Sequence, residues 1–138
     1  MNRYISILYR QAQRYMNNTL QAHGISQGEY PFLWCIAQGE NLNQKQISGQ
    51  LCVDEALTTR MIRKLEEKGI VTRLRSSFDQ RAYQIQLTEK GNALMPVVDQ
   101  SLSSLGEILT NDMNAKEQAY MVDMLEKMTK KIIHINQK

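Results

Sequence analysis

One stretch of this chain, residues 43–87, constrains its fold more than any other: two short helical patterns almost touch and are followed by a change of period. Asn43, with Gln46 three residues on, marks a helix start carrying Ile47 and Leu51 on one face. Only Cys52 and Val53 separate it from Asp54, which caps a second helix running to about Lys68 and stopped by Gly69. Helices joined by so tight a turn form a helix-turn-helix. After Gly69 the period falls to two. Ile70, Thr72 and Leu74 alternate with Val71, Arg73 and Arg75, and then Tyr83, Ile85 and Leu87 alternate with Gln84 and Gln86. Two strands are expected, and the polar residues 76–80 between them make a β-hairpin with Arg81 at the flank of its tip.

Helices flank this centre on both sides. Ile5, Leu8, Tyr9, Ala12, Tyr15, Met16 and Leu20 have the three-and-four spacing of an amphipathic helix ending at Gly24. Ser26 with Glu29 predicts a capping box opening the next helix, with Ile25 and Tyr30 as its hydrophobic staple and Pro31 just past the first turn. Thr88 caps a long helix interrupted by Pro96, where a kink is expected. The last helix carries Met121, Leu125, Met128, Ile132 and Ile135, the seam of a coiled coil. At 138 residues the chain is expected to be a single domain. Residues 26–90 are expected to form its helix-turn-helix and hairpin lobe, and residues 1–23 and 91–138 its dimerisation helices. The fold class is mainly α with a small β-hairpin wing.

Charge separates the function classes. Residues 1–44 hold 3 basic and 2 acidic side chains, residues 45–81 hold 8 and 5, and residues 82–138 hold 6 and 7, so the positive excess lies at the centre. His23 and His134 are far apart, Cys35 and Cys52 form no CxxC pair, and no phosphate-binding or nucleophile motif is present. An enzyme is the poorest class, and neither cofactor nor metal is expected. With no apolar run near the roughly 20 residues needed to span a bilayer and no secretory signal pattern at the N-terminus, a cytoplasmic protein without membrane contact is expected.

On a helical wheel Leu57, Thr58, Met61 and Leu65 cluster on one side of the second helix of the pair, and Ala56, Thr59, Arg60, Arg63 and Glu67 on the other. Small side chains near the helix start allow close approach to a major groove. Arg60 can reach base edges, while Arg63 and Lys64 one turn later meet phosphate. The alternatives are a winged helix used for protein contacts, supported by Asp54 and Glu55, and a small-molecule binder without DNA function, which the basic hairpin opposes.

Several short motifs now combine. Leu51-Cys52-Val53-Asp54, Thr59-Arg60, Leu65-Glu66-Glu67-Lys68-Gly69-Ile70-Val71, Asp79-Gln80-Arg81 and Leu87-Thr88-Glu89-Lys90-Gly91 together closely resemble the MarR (multiple antibiotic resistance regulator) family. The resemblance runs from about Ser26 to Gly91. It implies a homodimeric winged helix-turn-helix regulator, usually a repressor on a pseudo-palindromic DNA operator, released by a small-molecule effector or by oxidation. Carried onto this chain, it implies that Ala56, Thr59, Arg60, Arg63, Lys64, Arg73, Arg75, Asp79 and Arg81 face DNA, with Arg81 entering the minor groove and Asp79 orienting it. Two departures stand out. Cys52 occupies a turn position where the family often has glycine, and Asp54 and Glu55 put two acids at the start of the recognition helix. Tyr9, Tyr15, Trp34 and Met95 are of the type that lines a cavity, but aromatic and Met residues at helical spacing are more often core, so no effector residue is assigned.

Overall fold

The computed structural model of the chain describes residues 1–75 and 83–138. In chain order the elements are α1 (Asn2–Leu20), a 3₁₀ turn (Gln21–His23), α2 (Tyr30–Gln38), α3 (Gln44–Leu51), α4 (Glu55–Glu67), β1 (Val71–Arg75), β2 (Tyr83–Leu87), α5 (Glu89–Thr110) and α6 (Ala115–Asn136). The described residues form two compact units, 1–103 and 104–138.

The core of the first unit is built by the periodicity that the sequence displays. Met16 and Leu20 from α1, Phe32, Leu33 and Ile36 from α2, Ile47 from α3, and Met61, Ile62 and Leu65 from α4 are all buried, joined by Ile70, Val71, Ile85 and Val98. Each such side chain contributes about 1.5–3 kcal/mol by leaving water. α2 packs on α3 and on β2, and α3 packs on α4. Strands β1 and β2 are antiparallel, with Val71 opposite Leu87, Arg73 opposite Ile85 and Arg75 opposite Tyr83. Leu42 adds a single rung beside them, its carbonyl accepting the Ile85 N–H at 2.8 Å. That pairing depends on a loop closing in space and has no period to reveal it.

Three local expectations change. The helix expected to open at Ser26 begins at Tyr30, because residues 27–29 form a turn in which the Glu29 carboxylate accepts the Ser26 N–H at 3.0 Å. Pro31 therefore falls in the first turn of α2, not past it, where its missing N–H leaves no bond unmade. In β1 the alternation of Ile70, Thr72 and Leu74 does not mark one inward face, since Leu74 is 44% exposed and Val71 is buried, whereas in β2 Ile85 is buried as its alternation indicates.

Caps explain the remaining boundaries. Asn43 and Gln46 exchange reciprocal side-chain bonds with each other's N–H, as do Asn114 and Glu117 at the start of α6, a cap the helical period alone does not announce. The Thr88 hydroxyl accepts the Gly91 N–H at 3.2 Å and donates to the Ile70 carbonyl at 3.0 Å. α5 is therefore capped and tied to the end of the α4 turn by one side chain.

Candidate nucleic-acid interface

α4 shows two faces of different character. Thr58, Met61, Ile62 and Leu65 are buried, whereas Ala56, Arg60, Arg63, Lys64 and Glu67 are exposed. Thr59 lies between the two conditions and donates its hydroxyl to the Glu55 carbonyl at 2.9 Å, so it stays close to the helix surface. The small side chains sit at the N-terminal end and the long cations one and two turns later.

The start of α4 accounts for one of its two acids. Asp54 accepts the Leu57 N–H at 2.6 Å, and a carboxylate there also complements the positive end of the helix dipole. That acid has a structural task. The cap explains Asp54 without a partner, and Glu55 stands exposed beside it.

The cysteines divide by environment. Cys52 ends α3 with φ 55, in the left-handed region where glycine carries no side-chain penalty, and is exposed. Cys35 is buried, its thiol hydrogen-bonded to Gln50 Oε1, and burial pushes its pKa up, away from the reactive thiolate. Both are free thiols.

Arg73, one of the residues expected to face DNA, donates its Nε to Glu66 Oε1 at 2.7 Å, which fastens β1 to α4. Arg75 lies over the Tyr83 ring, 5.7 Å from its centre. Asp79 and Arg81 fall outside the described residues. Between α3, α4 and the strands lies a cleft of about 320 Å³ lined by Asn43, Gln44, Lys45, Glu55, Thr59, Arg73 and Tyr83. Gln44 Nε2 is buried with no hydrogen-bond partner among the described residues. Sequence reasoning passed over Gln44 and Lys45, which are unremarkable until the fold sets them beside Thr59 and Arg73.

A second, more apolar cavity of about 460 Å³ lies between α1, α2 and α4, lined in part by Tyr9, Gln13, Tyr30, Phe32, Leu57 and Met61. The Tyr30 hydroxyl donates to Gln13 Oε1 at 3.3 Å, and Gln13 Nε2 donates to the Tyr9 hydroxyl oxygen at 3.2 Å. Of the four candidates for such a cavity, Tyr9 lines it, while Tyr15, Trp34 and Met95 do not. Among the described residues no group of three or more His, Cys, Asp or Glu side chains could hold a metal ion, and no helix is long and apolar enough to cross a membrane.

Among the described residues Glu29 is the buried acid of this lobe. Burial raises its pKa, but hydrogen bonds from Lys68 and Ser26 outweigh that and hold it below the usual carboxylate value. A lowered folded-state pKa stabilises the fold above the unfolded value, and the stabilisation fades as pH falls through the folded one. Thermal melts between pH 7 and pH 3 should therefore show a loss of stability that is smaller in Glu29→Gln. Equal slopes in the two proteins would remove Glu29 from the account.

Two tightly joined helices, an outward cationic face on the second, and an antiparallel strand pair beside it define a winged helix-turn-helix. The MarR family pattern matches residues 25–83. The HTH-type transcriptional regulator SarZ of Staphylococcus epidermidis is 31% identical over 99 residues, which is 72% of this chain and 64% of that protein. The match thus leaves about a third of the SarZ chain uncovered. The crystal structure of a MarR transcriptional regulator from Methanosarcina mazei Go1 is 34% identical, with a TM-score of 0.89 over 97% of this chain and 96% of that one. A mutant MarR from E. coli complexed with operator DNA is 27% identical, with a TM-score of 0.83 over 92% and 91% of the two chains. The chain belongs to the MarR family.

Proposed function

We propose that this chain is a DNA-binding transcriptional regulator that represses from a pseudo-palindromic duplex operator as a homodimer and is released by a small-molecule effector. The observation that carries the reading is the outer face of α4, where Ala56, Arg60, Arg63 and Lys64 stand exposed on a helix whose other face is locked into the core. A helix so presented enters a major groove N-terminal end first. Ala56 permits close approach and Arg60 reads base edges, while Arg63 and Lys64 meet phosphate.

The cleft beside α4 adds to this. Lys45, exposed in the first turn of α3 at that cleft, supplies a further cation for phosphate. Arg73 acts through Glu66, holding the strands against α4, and Arg75 supplies charge near Tyr83. Arg81 enters the minor groove, oriented by Asp79, since a permanently charged guanidinium suits the potential of a narrow A·T groove.

Residues 26–90 form the DNA lobe, and residues 1–23 and 91–138 supply the dimer. The cavity beside α1, α2 and α4 is the seat of the effector, because Leu57 and Met61 belong to the helix that would have to move.

Gel shifts against the DNA upstream of the chain's own gene test the reading at fixed salt. Arg60→Ala should lose roughly 1–3 kcal/mol and relax base preference, and Arg63→Ala should weaken all sequences alike. Arg81→Ala should lose at least tenfold, roughly 1.4 kcal/mol, without change in thermal stability. Wild-type binding by all three variants would refute the assignment of this face.

A further inference from the structure

This inference rests on the DNA-binding reading and concerns what aims α4. Lys68 directly follows the helix. Its Nζ lies 2.7 and 2.8 Å from the two Glu29 carboxylate oxygens and 2.8 Å from the Gly24 carbonyl oxygen. An ammonium has three hydrogens, and here each has an acceptor. Glu29 is 2% exposed, and its Oε1 also accepts the Ser26 N–H at 3.0 Å. The Lys68 carbonyl in turn accepts Lys90 Nζ at 2.8 Å, so one residue joins the α1–α2 connection, the end of α4 and the start of α5. Near the other end of α4 the buried hydroxyls of Thr58 and Ser48 meet at 2.7 Å.

We propose that the Lys68–Glu29 pair is a positioning device that sets the direction of α4, making these two residues determinants of operator discrimination although neither touches DNA. The physical ground is leverage. Thirteen residues span about 20 Å at 1.5 Å each, so a tilt of about 10° moves the far end by about 3 Å. Base contacts tolerate on the order of 0.5 Å. The apolar face of α4 resists separation from the core but is non-directional, and it permits small rotations. Charge-assisted bonds from one ammonium to three fixed acceptors do not.

The test separates aim from stability. A duplex is selected from a randomised pool by the wild-type chain, and its affinity is compared with that of a scrambled duplex of equal length in the same salt. Lys68→Met should melt well below wild type, because it leaves a buried carboxylate uncompensated. The double variant Glu29→Gln, Lys68→Met removes that charge and should regain most of the lost stability. Its preference for the selected duplex should nonetheless fall about tenfold or more, with affinity for the scrambled duplex unchanged. Lys68→Arg keeps a charge opposite Glu29, and so the fold. Its planar fork cannot reproduce the three-acceptor arrangement, so its preference should fall several-fold. A wild-type preference ratio in the double variant and in Lys68→Arg overturns the proposal while leaving the DNA-binding reading standing. A wild-type chain that selects no sequence overturns both.

Discussion

A Leu125→Lys, Ile132→Lys variant is expected to run as a monomer at micromolar concentration and to bind operator at least about a hundredfold more weakly than wild type. On α6 Leu125, Met128, Ile132 and Ile135 recur at alternating spacings of three and four, and they are 50%, 44%, 56% and 59% exposed in the single chain. A row of half-exposed large apolar side chains on a helix of 22 residues asks for a partner surface. In the proposed dimer that surface is the same row on a second copy, packed by the coiled-coil rule. Because both positions are open to solvent in the protomer, lysine there should leave its fold intact, and circular dichroism should match wild type. The affinity loss follows from tethering. Two linked lobes make the second half-site contact intramolecular, an advantage of about 10²- to 10⁴-fold that a monomer forfeits. Light scattering that still returns a dimer mass for the variant would refute the α6 interface.

The second large effect is in the fold itself. Gly91→Ala should destabilise the protein by roughly 3 kcal/mol, as overpacking against fixed backbone does. A Cβ at Gly91 would lie 2.3 Å from the Ile70 carbonyl oxygen and 3.3 Å from its carbonyl carbon. The obstacle is backbone, and that carbonyl is already held by the Thr88 N–H and hydroxyl, both at 3.0 Å. Neither side can yield without breaking the cap of α5. Gly49→Ala is the natural control: nothing lies within 4 Å of a Cβ there, and the residue is inside α3. It should gain about 0.5–1 kcal/mol. Urea titrations that give both variants the same midpoint would contradict the close approach at Gly91.

Gly69 and Gly91 show where reading the sequence succeeds and where it stops. Residues 65–71 and 87–91 stand out together in the sequence as parts of a family pattern, but nothing in their spacing says that they touch. In the fold Gly69 turns the chain with φ +73, Ile70 offers its carbonyl, and Thr88, Lys90 and Gly91 close on that turn from the start of α5. Arg73 gives a similar lesson from the candidate interface. Its charge and place in the wing are legible in the sequence, but nothing in the spacing announces the bond from its Nε to Glu66, seven residues earlier.

The elements themselves were written in the sequence, because their causes are local. Three- and four-residue spacing sets the inner face of α4, and the Asn43–Gln46 and Asp54 caps set where α3 and α4 begin. Glycine at 24 and 69 marks the left-handed turns, with φ 77 and 73. An outward cationic helix beside a strand pair followed from those signals alone. Only tertiary structure decided which strand face lies inward, that Pro31 falls within the first turn of α2, that Gln44 Nε2 is buried without an acceptor among the described residues, and that Lys68 saturates its ammonium on Glu29 and Gly24. Each of these depends on groups distant in sequence meeting at bond length. Periodicity registers which side of an element is apolar, but it carries no record of which polar atoms the closed core will bring within 3 Å of one another.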